Sequence, residues 1–189
     1  MNFLSPDELL SVLRTAREKS LRDWLLILCA YRHGLRAGEV TALRTTDIVD
    51  GALSIKRLKH SKHTVQQIEG HTGAPLLNLE RGLRDWLKRE RPRDQGDALF
   101  PSQKGSFLTA KSFNFIFKKY ALEAGLPKEK AHPHILKHSI CNHLIRAGVD
   151  LAYVQGRVGH ASISSTMKYV SLSDAEIGEK THNALMSIF

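Results

Sequence analysis

Cysteine is scarce in this chain: two among 189 residues, Cys29 and Cys141, each inside an apolar run rather than in a spaced pair. That spacing excludes a disulfide framework and a thiolate zinc site, and makes both residues buried, reduced thiols. Long hydrophobic runs are missing as well. The longest, Trp24 to Tyr31, is too short to span a bilayer, and no charged start with a small-residue cleavage site opens the chain. A reducing cytoplasm is the expected compartment, with no membrane partner. Acidic residues are in deficit, 19 against 28 lysines and arginines, for a formal charge of +9. Because the basic residues crowd into a few stretches, the expected partner is a nucleic acid. Internal repeats, low-complexity tracts and linkers long enough to divide the chain are also absent. With 42% hydrophobic residues, one domain with a full core is expected over 1–189.

What is present reads mostly as helix. Ser5-Pro6-Asp7-Glu8 is a helix start, with a capping serine, proline in the first turn and acids at the positive end of the dipole. Leu21 to His33 is apolar around most of its circumference, which predicts a helix through the core, ended by Gly34. The stretch GLRAGEVTALRTTDI follows, with Arg36 at the beginning of a short helix. A cation there opposes the dipole, so Arg36 is either a solvated surface residue or shares its site with an anion.

Ala52 to Ile68 alternates as a β-hairpin, with β-branched residues in both arms and a basic turn holding Lys56, Arg57, Lys59, His60, Lys62 and His63. Such a hairpin is either an edge protected by its lysines or a finger laid on phosphates. Helices are expected from about Asn78 to Glu90 and from about Thr109 to Ala124. The second carries Phe113, Ile116, Phe117 and Tyr120 at helical spacing, a core stripe rather than a base-stacking platform. Ser173 and Glu176 have capping-box spacing, and 173–189 reads as a tail helix packing on its own core or on a neighbouring subunit. The sum is a mainly α chain with a small antiparallel β-sheet, an α+β domain.

The densest chemistry lies between His132 and Tyr169. His134 and Lys137, three apart, share a face if this stretch is a helix, which puts one ligand within reach of both. His134 and His138 also have zincin spacing. The general base directly after the first histidine is missing, since Ile135 stands there, and Lys137 between the two repels a dication. No metal and no other cofactor is therefore expected. No G-x-S-x-G elbow supports a serine hydrolase.

Arg36 in GLRAGE, a lysine in a β-hairpin, HPHILKHS, Gly159-His160 and Tyr169 nine residues later resemble, in that order, the tyrosine recombinase (phage integrase) family. The hairpin sequence IKRLKHS and the short length look most similar to the small fimbrial phase-variation recombinases, which lack the N-terminal core-binding domain of larger integrases. The resemblance implies a site-specific recombinase that cuts and rejoins double-stranded DNA without metal, by type IB topoisomerase-like chemistry. It implies Tyr169 as nucleophile, Arg36 and Lys137 on the scissile phosphate, and Lys59 as general acid, with Lys62 the second candidate. His134 assists proton transfer or bonds the phosphate, and His160 bonds a non-bridging oxygen. Lys56, Arg57, Lys62 and Arg157 are expected on DNA, and His138 as a structural neighbour. A tetramer on two DNA sites in the nucleoid, with the tail helix passed in trans, is implied as well.

One position departs from the pattern. Lys137 stands where the family carries its second arginine, and lysine offers one compact charge in place of a planar fork. A branch that uses lysine naturally is the expected explanation. The alternative is a weakened or inactive homologue acting as a DNA-binding regulator.

Overall fold

Residues 25–30 have no exposed surface, and the helix that carries them is the axis of the molecule. The computed structural model describes residues 3–58, 61–162, 164–167, 182 and 186. Helix α1 (Pro6–Lys19) starts as its sequence predicts: the Ser5 hydroxyl accepts from Glu8 N and the Glu8 carboxylate accepts from Ser5 N, a reciprocal cap. Its Leu9, Val12, Leu13 and Ala16 face α2 (Leu21–Arg32), which also contacts α3 (Ala37–Thr41), α4 (Leu79–Asp85) and α6 (His134–Arg146). Being covered on every side through its middle, α2 keeps its charged residues, Arg22, Asp23 and Arg32, to its two ends. Its one buried acid, Asp23, pairs with the Arg22 guanidinium at 2.8 Å and accepts a hydrogen bond from Tyr120 OH at 3.0 Å, which together compensate its desolvation.

The sheet has three antiparallel strands in the order β1 (Ile48–Val49), β2 (Ala52–Ile55) and β3 (Thr64–Gln67), with Leu53 opposite Gln66 and Ile55 opposite Thr64. The hairpin is where the alternation predicted it, but β1 is an addition. It pairs through Asp50-Gly51, both at positive φ, the two-residue turn that matches strand twist. The basic turn of the larger hairpin spans 56–63, and Lys59 and His60 within it lie outside the described residues.

The helix expected over 78–90 divides in two. Asn78 caps α4, accepting from Arg81 N at 3.0 Å, and from Trp86 to Glu90 the helix widens into a π turn closed by Arg91 N to Trp86 O. On α5 (Ala110–Glu123), Phe113, Phe117 and Tyr120 are buried, as a core stripe should be. The two cysteines are free and buried. No helix among the described residues is long and apolar enough to cross a membrane.

The chain start is fastened to the helix that carries the histidines. Leu4 N donates to Ser139 Oγ, and His143 Nε2–H donates to Leu4 O, both at 2.8 Å. With that tautomer, His143 Nδ1 accepts from Tyr31 OH of α2, so α6 is pinned in rotation. Helix α7 (Leu151–Val158) packs on α6 and β3, and Gly159 ends it in the left-handed conformation, φ 68°. A short α8 (Ser164–Met167) follows. The expected tail helix over 173–189 lies outside the described residues, apart from His182 and Met186.

Candidate active site

Arg36 is the N-cap residue of α3, and the anion that shares its place belongs to the protein. Glu39, three residues on and 2% exposed, accepts from Arg36 N at 2.9 Å through Oε2 and from Arg36 Nη1 at 2.8 Å through Oε1. Leu58 N also donates to Glu39 Oε1, at 3.1 Å, which ties the hairpin to α3. Burial pushes the Glu39 carboxyl up, but donors from Arg36 and Leu58 more than offset it and hold it below the usual carboxylate value. Glu39 is therefore a fixed negative charge. It orients the guanidinium, which stays partly open to solvent and reaches Ser61 Oγ at 3.1 Å. Sequence reading missed Glu39, although Arg36-x-x-Glu39 has i, i+3 spacing and a glutamate near a helix start.

Lys137 enters the same site from α6. Its side chain is 1% exposed, and Nζ donates to Val158 O at 2.8 Å, the last residue of α7. Burial first, then the charge of Arg36, pushes this ammonium down to about 7, against a counteracting pull from Glu39. A lysine poised at neutrality is rare, and its causes are the neighbours that mark an anion site. Lysine has three N–H donors, so two remain for a ligand after Val158.

The histidines surround this pair. His134 is exposed at the start of α6 and packs edge to face on His138, with ring centroids 4.3 Å apart. Partial burial of its ring, then His132, Lys137 and Arg36, hold His134 below the usual imidazole value. His160, half-buried just beyond Gly159, pairs through Nδ1 with Thr166 Oγ1 at 3.0 Å, and its carbonyl accepts from Gln155 Nε2. Burial, followed by Lys137, Arg36 and Arg57, pushes His160 down to about 4. His138 is likewise held at about 4. At neutral pH the His138 and His160 imidazoles carry no charge, so they accept or donate single hydrogen bonds rather than adding to the cationic field.

Arg36, His134, Lys137 and His160, spread over 125 positions of sequence, thus come within electrostatic reach of one another. Two expected members, Tyr169 and Lys59, lie outside the described residues. Thr166, bonded to His160, precedes Tyr169 by three positions in the sequence, and Ser61, bonded to Arg36, follows Lys59 by two. Lys56 and Lys62 are exposed.

Arg57 departs from the expectation of a DNA contact. Its side chain has no exposed surface, and its guanidinium is bonded inward to Glu39, Thr64 and three backbone carbonyls. The reason is local: Arg57 follows β2 on the covered side of the sheet, where helix ends leave unpaired carbonyls. Arg157 is tethered but stays partly open to solvent: it donates to Arg32 O through Nε and Nη2 at 3.2 and 3.1 Å, with Glu69 at 3.6 Å, and 26% of its side chain is exposed.

Comparison with known proteins agrees with this geometry. The Phage integrase family profile matches residues 2–176. The chain is 37% identical over 172 residues to Tyrosine recombinase XerC of Roseiflexus sp. (strain RS-1), covering 89% of this chain and 54% of that protein, so it spans about half that relative's length. It is 34% identical over 160 residues to Type 1 fimbriae regulatory protein FimE of Escherichia coli (strain K12), covering 82% of this chain and 76% of the relative. Among solved structures, the XerH site-specific recombinase bound to its difH substrate in a pre-cleavage complex superposes with a TM-score of 0.78 at 28% identity, over 96% of this chain and 54% of the other. The ordered site residues, the α+β frame and these matches agree: the chain belongs to the phage integrase family, the tyrosine recombinases.

Proposed function

We propose that this protein is a site-specific DNA recombinase that cleaves and rejoins strands through a 3′-phosphotyrosine. The observation that carries the reading is the crowding of Arg36, Arg57 and Lys137 around one carboxylate, Glu39. Their mutual repulsion is relieved by a bound anion, and a phosphodiester supplies one. Arg36 and Lys137 hold the non-bridging oxygens, and neutral His160 donates to one of them. Tyr169 attacks phosphorus and loses its proton with help from His134. The bond to the 5′ oxygen breaks, and Lys59, or Lys62 in its place, protonates the leaving oxygen. The phosphotyrosine ester retains the bond energy, so a second 5′ hydroxyl reverses the steps without a nucleotide cofactor or a metal.

Four copies on two DNA sites, exchanging strands in the nucleoid of the cytoplasm, complete the reading. Structural relatives captured on DNA support the DNA partner. The test is covalent capture from a library of nicked duplexes with randomised arms, in the presence of EDTA. A protein–DNA adduct that survives denaturation and disappears in Tyr169→Phe is expected. Duplex binding without adduct would instead establish a regulator with a silent site, and cleavage abolished by EDTA a metal enzyme.

A further inference from the structure

We propose that Arg57 is the positioning residue of the active site, one guanidinium that holds the Arg36–Glu39 pair and the turn bearing His160 in a single frame. The proposal rests on the recombinase reading for its catalytic consequence and on geometry for its placement. A guanidinium has five N–H donors in a rigid plane. Here five directions are taken: Nε to Thr64 Oγ1 at 3.2 Å, Nη1 to Gly34 O at 3.0 Å and Glu39 Oε2 at 3.2 Å, Nη2 to His33 O at 3.0 Å and Arg157 O at 2.7 Å. These acceptors come from the end of α2, from α3, from the start of β3 and from the last turn of α7.

Each partner has a reason to need this donor. His33 O and Gly34 O lie past the end of α2, where helix geometry leaves carbonyls without partners; Arg157 O, in the final turn of α7, is shared between Arg57 and Gln66 Nε2, the latter at 2.6 Å. A buried cation at two helix C-termini is also favoured by both dipoles. Glu39 links Arg57 to Arg36, since the same carboxylate takes both guanidinium groups. Arg157 stands three residues before His160, and between them Gly159 closes onto Arg57 so tightly that a Cβ there would meet Arg57 Cγ and Nε at 3.0 Å. Lys137 on Val158 O secures the next carbonyl of the same turn. A DNA contact is excluded by the absence of exposed side-chain surface. Lysine cannot reproduce Arg57, because one nitrogen with three donors cannot satisfy five acceptors spread over a planar fork.

Arg57→Lys keeps the charge and removes the fork, which separates positioning from electrostatics. In single-turnover cleavage of the captured duplex, Arg57→Lys is expected to slow the step by about 10²-fold with unchanged duplex affinity, the loss typical of a catalytic group misplaced by about an ångström. Histidine NMR of the DNA-free protein gives the second readout. His160 is expected to titrate closer to the ordinary imidazole value in Arg57→Lys than in the wild type, where it is held at about 4. Val12→Ala in α1 is the control for lost stability and leaves His160 unmoved. A wild-type rate in Arg57→Lys overturns the proposal, as does an unmoved His160, or weaker binding with a shallower salt dependence, which marks a phosphate contact. Should Arg57→Lys not fold, Thr64→Val deletes one acceptor of the same guanidinium in a strand that carries no site residue; slowed cleavage with His160 moved toward the ordinary imidazole value supports the proposal, and an unchanged rate with His160 unmoved overturns it. If the wild-type protein forms no adduct on any duplex, the recombinase reading fails, and the His160 titration still decides whether Arg57 holds the turn.

Discussion

Lys137 is the residue on which the chemistry of this chain differs from the pattern it otherwise follows. An arginine there stays charged at any accessible pH, whereas this lysine is held at about 7 by burial and by Arg36. A phosphodiester beside it favours the ammonium, so above pH 7 DNA binding takes up a proton. Affinity for a captured duplex is therefore expected to fall with rising pH above 7, by at most about tenfold per pH unit, and Lys137→Arg is expected to flatten that slope while retaining cleavage. Lys137→Ala, which leaves no cation, is expected to abolish cleavage. Equal pH slopes for wild type and Lys137→Arg in fluorescence-anisotropy titrations would remove the lysine from the phosphate. Arg36 teaches the complementary lesson. In isolation it reads as a solvated charge, and only Glu39, buried beneath it, makes it a preset donor.

At the scale of elements, local signals were read well where they are local. The Ser5 cap, the apolar circumference of α2, the aromatic stripe of α5 and the two arms of the hairpin each follow from neighbours within a few residues. The division of the 78–90 helix does not. Trp86 there donates its indole N–H to Leu99 O at 2.8 Å, a partner 13 residues away, at the position where the π turn begins. Gly82 is similar: helix propensity favours alanine by about 1 kcal/mol, yet a Cβ would lie 2.6 Å from Trp24 Cζ3 and 2.7 Å from Leu25 Cδ2. The Trp24 ring is itself held by Nε1–H to Leu76 O at 3.1 Å and has little room to yield. Overpacking costs about 1–3 kcal/mol, so Gly82→Ala is expected to lower the urea midpoint. A raised midpoint would show that the α2–α4 contact relaxes.

For the whole molecule, the balance of buried imidazoles sets the response to acid. His33, His138 and His160 are each held at about 4, below an ordinary value of 6.5, chiefly by burial. The unfolded chain then binds more protons than the folded one between those values, so their stabilisation is complete above pH 6.5 and lost as pH falls toward 4. Urea midpoints are expected to drop steadily over that window; midpoints flat from pH 7 to 5 would mean that the imidazoles reach solvent in the folded state. The sequence by itself determined the class of the chain and the order of its chemistry: a basic, reduced, mainly helical domain carrying arginine, lysine, two histidines and tyrosine in recombinase order. It did so because caps, apolar periodicity and motif spacing act within a few residues. Only the tertiary structure decided which basic side chains face inward. Arg57 and Lys56 are neighbours in one basic run; alternation puts Arg57 on the face of Leu53 and Ile55 but does not say what it meets there. Arg57 is buried because the fold brings carbonyls 33, 34 and 157 and the Glu39 carboxylate to one point, and a planar five-donor cation satisfies them all.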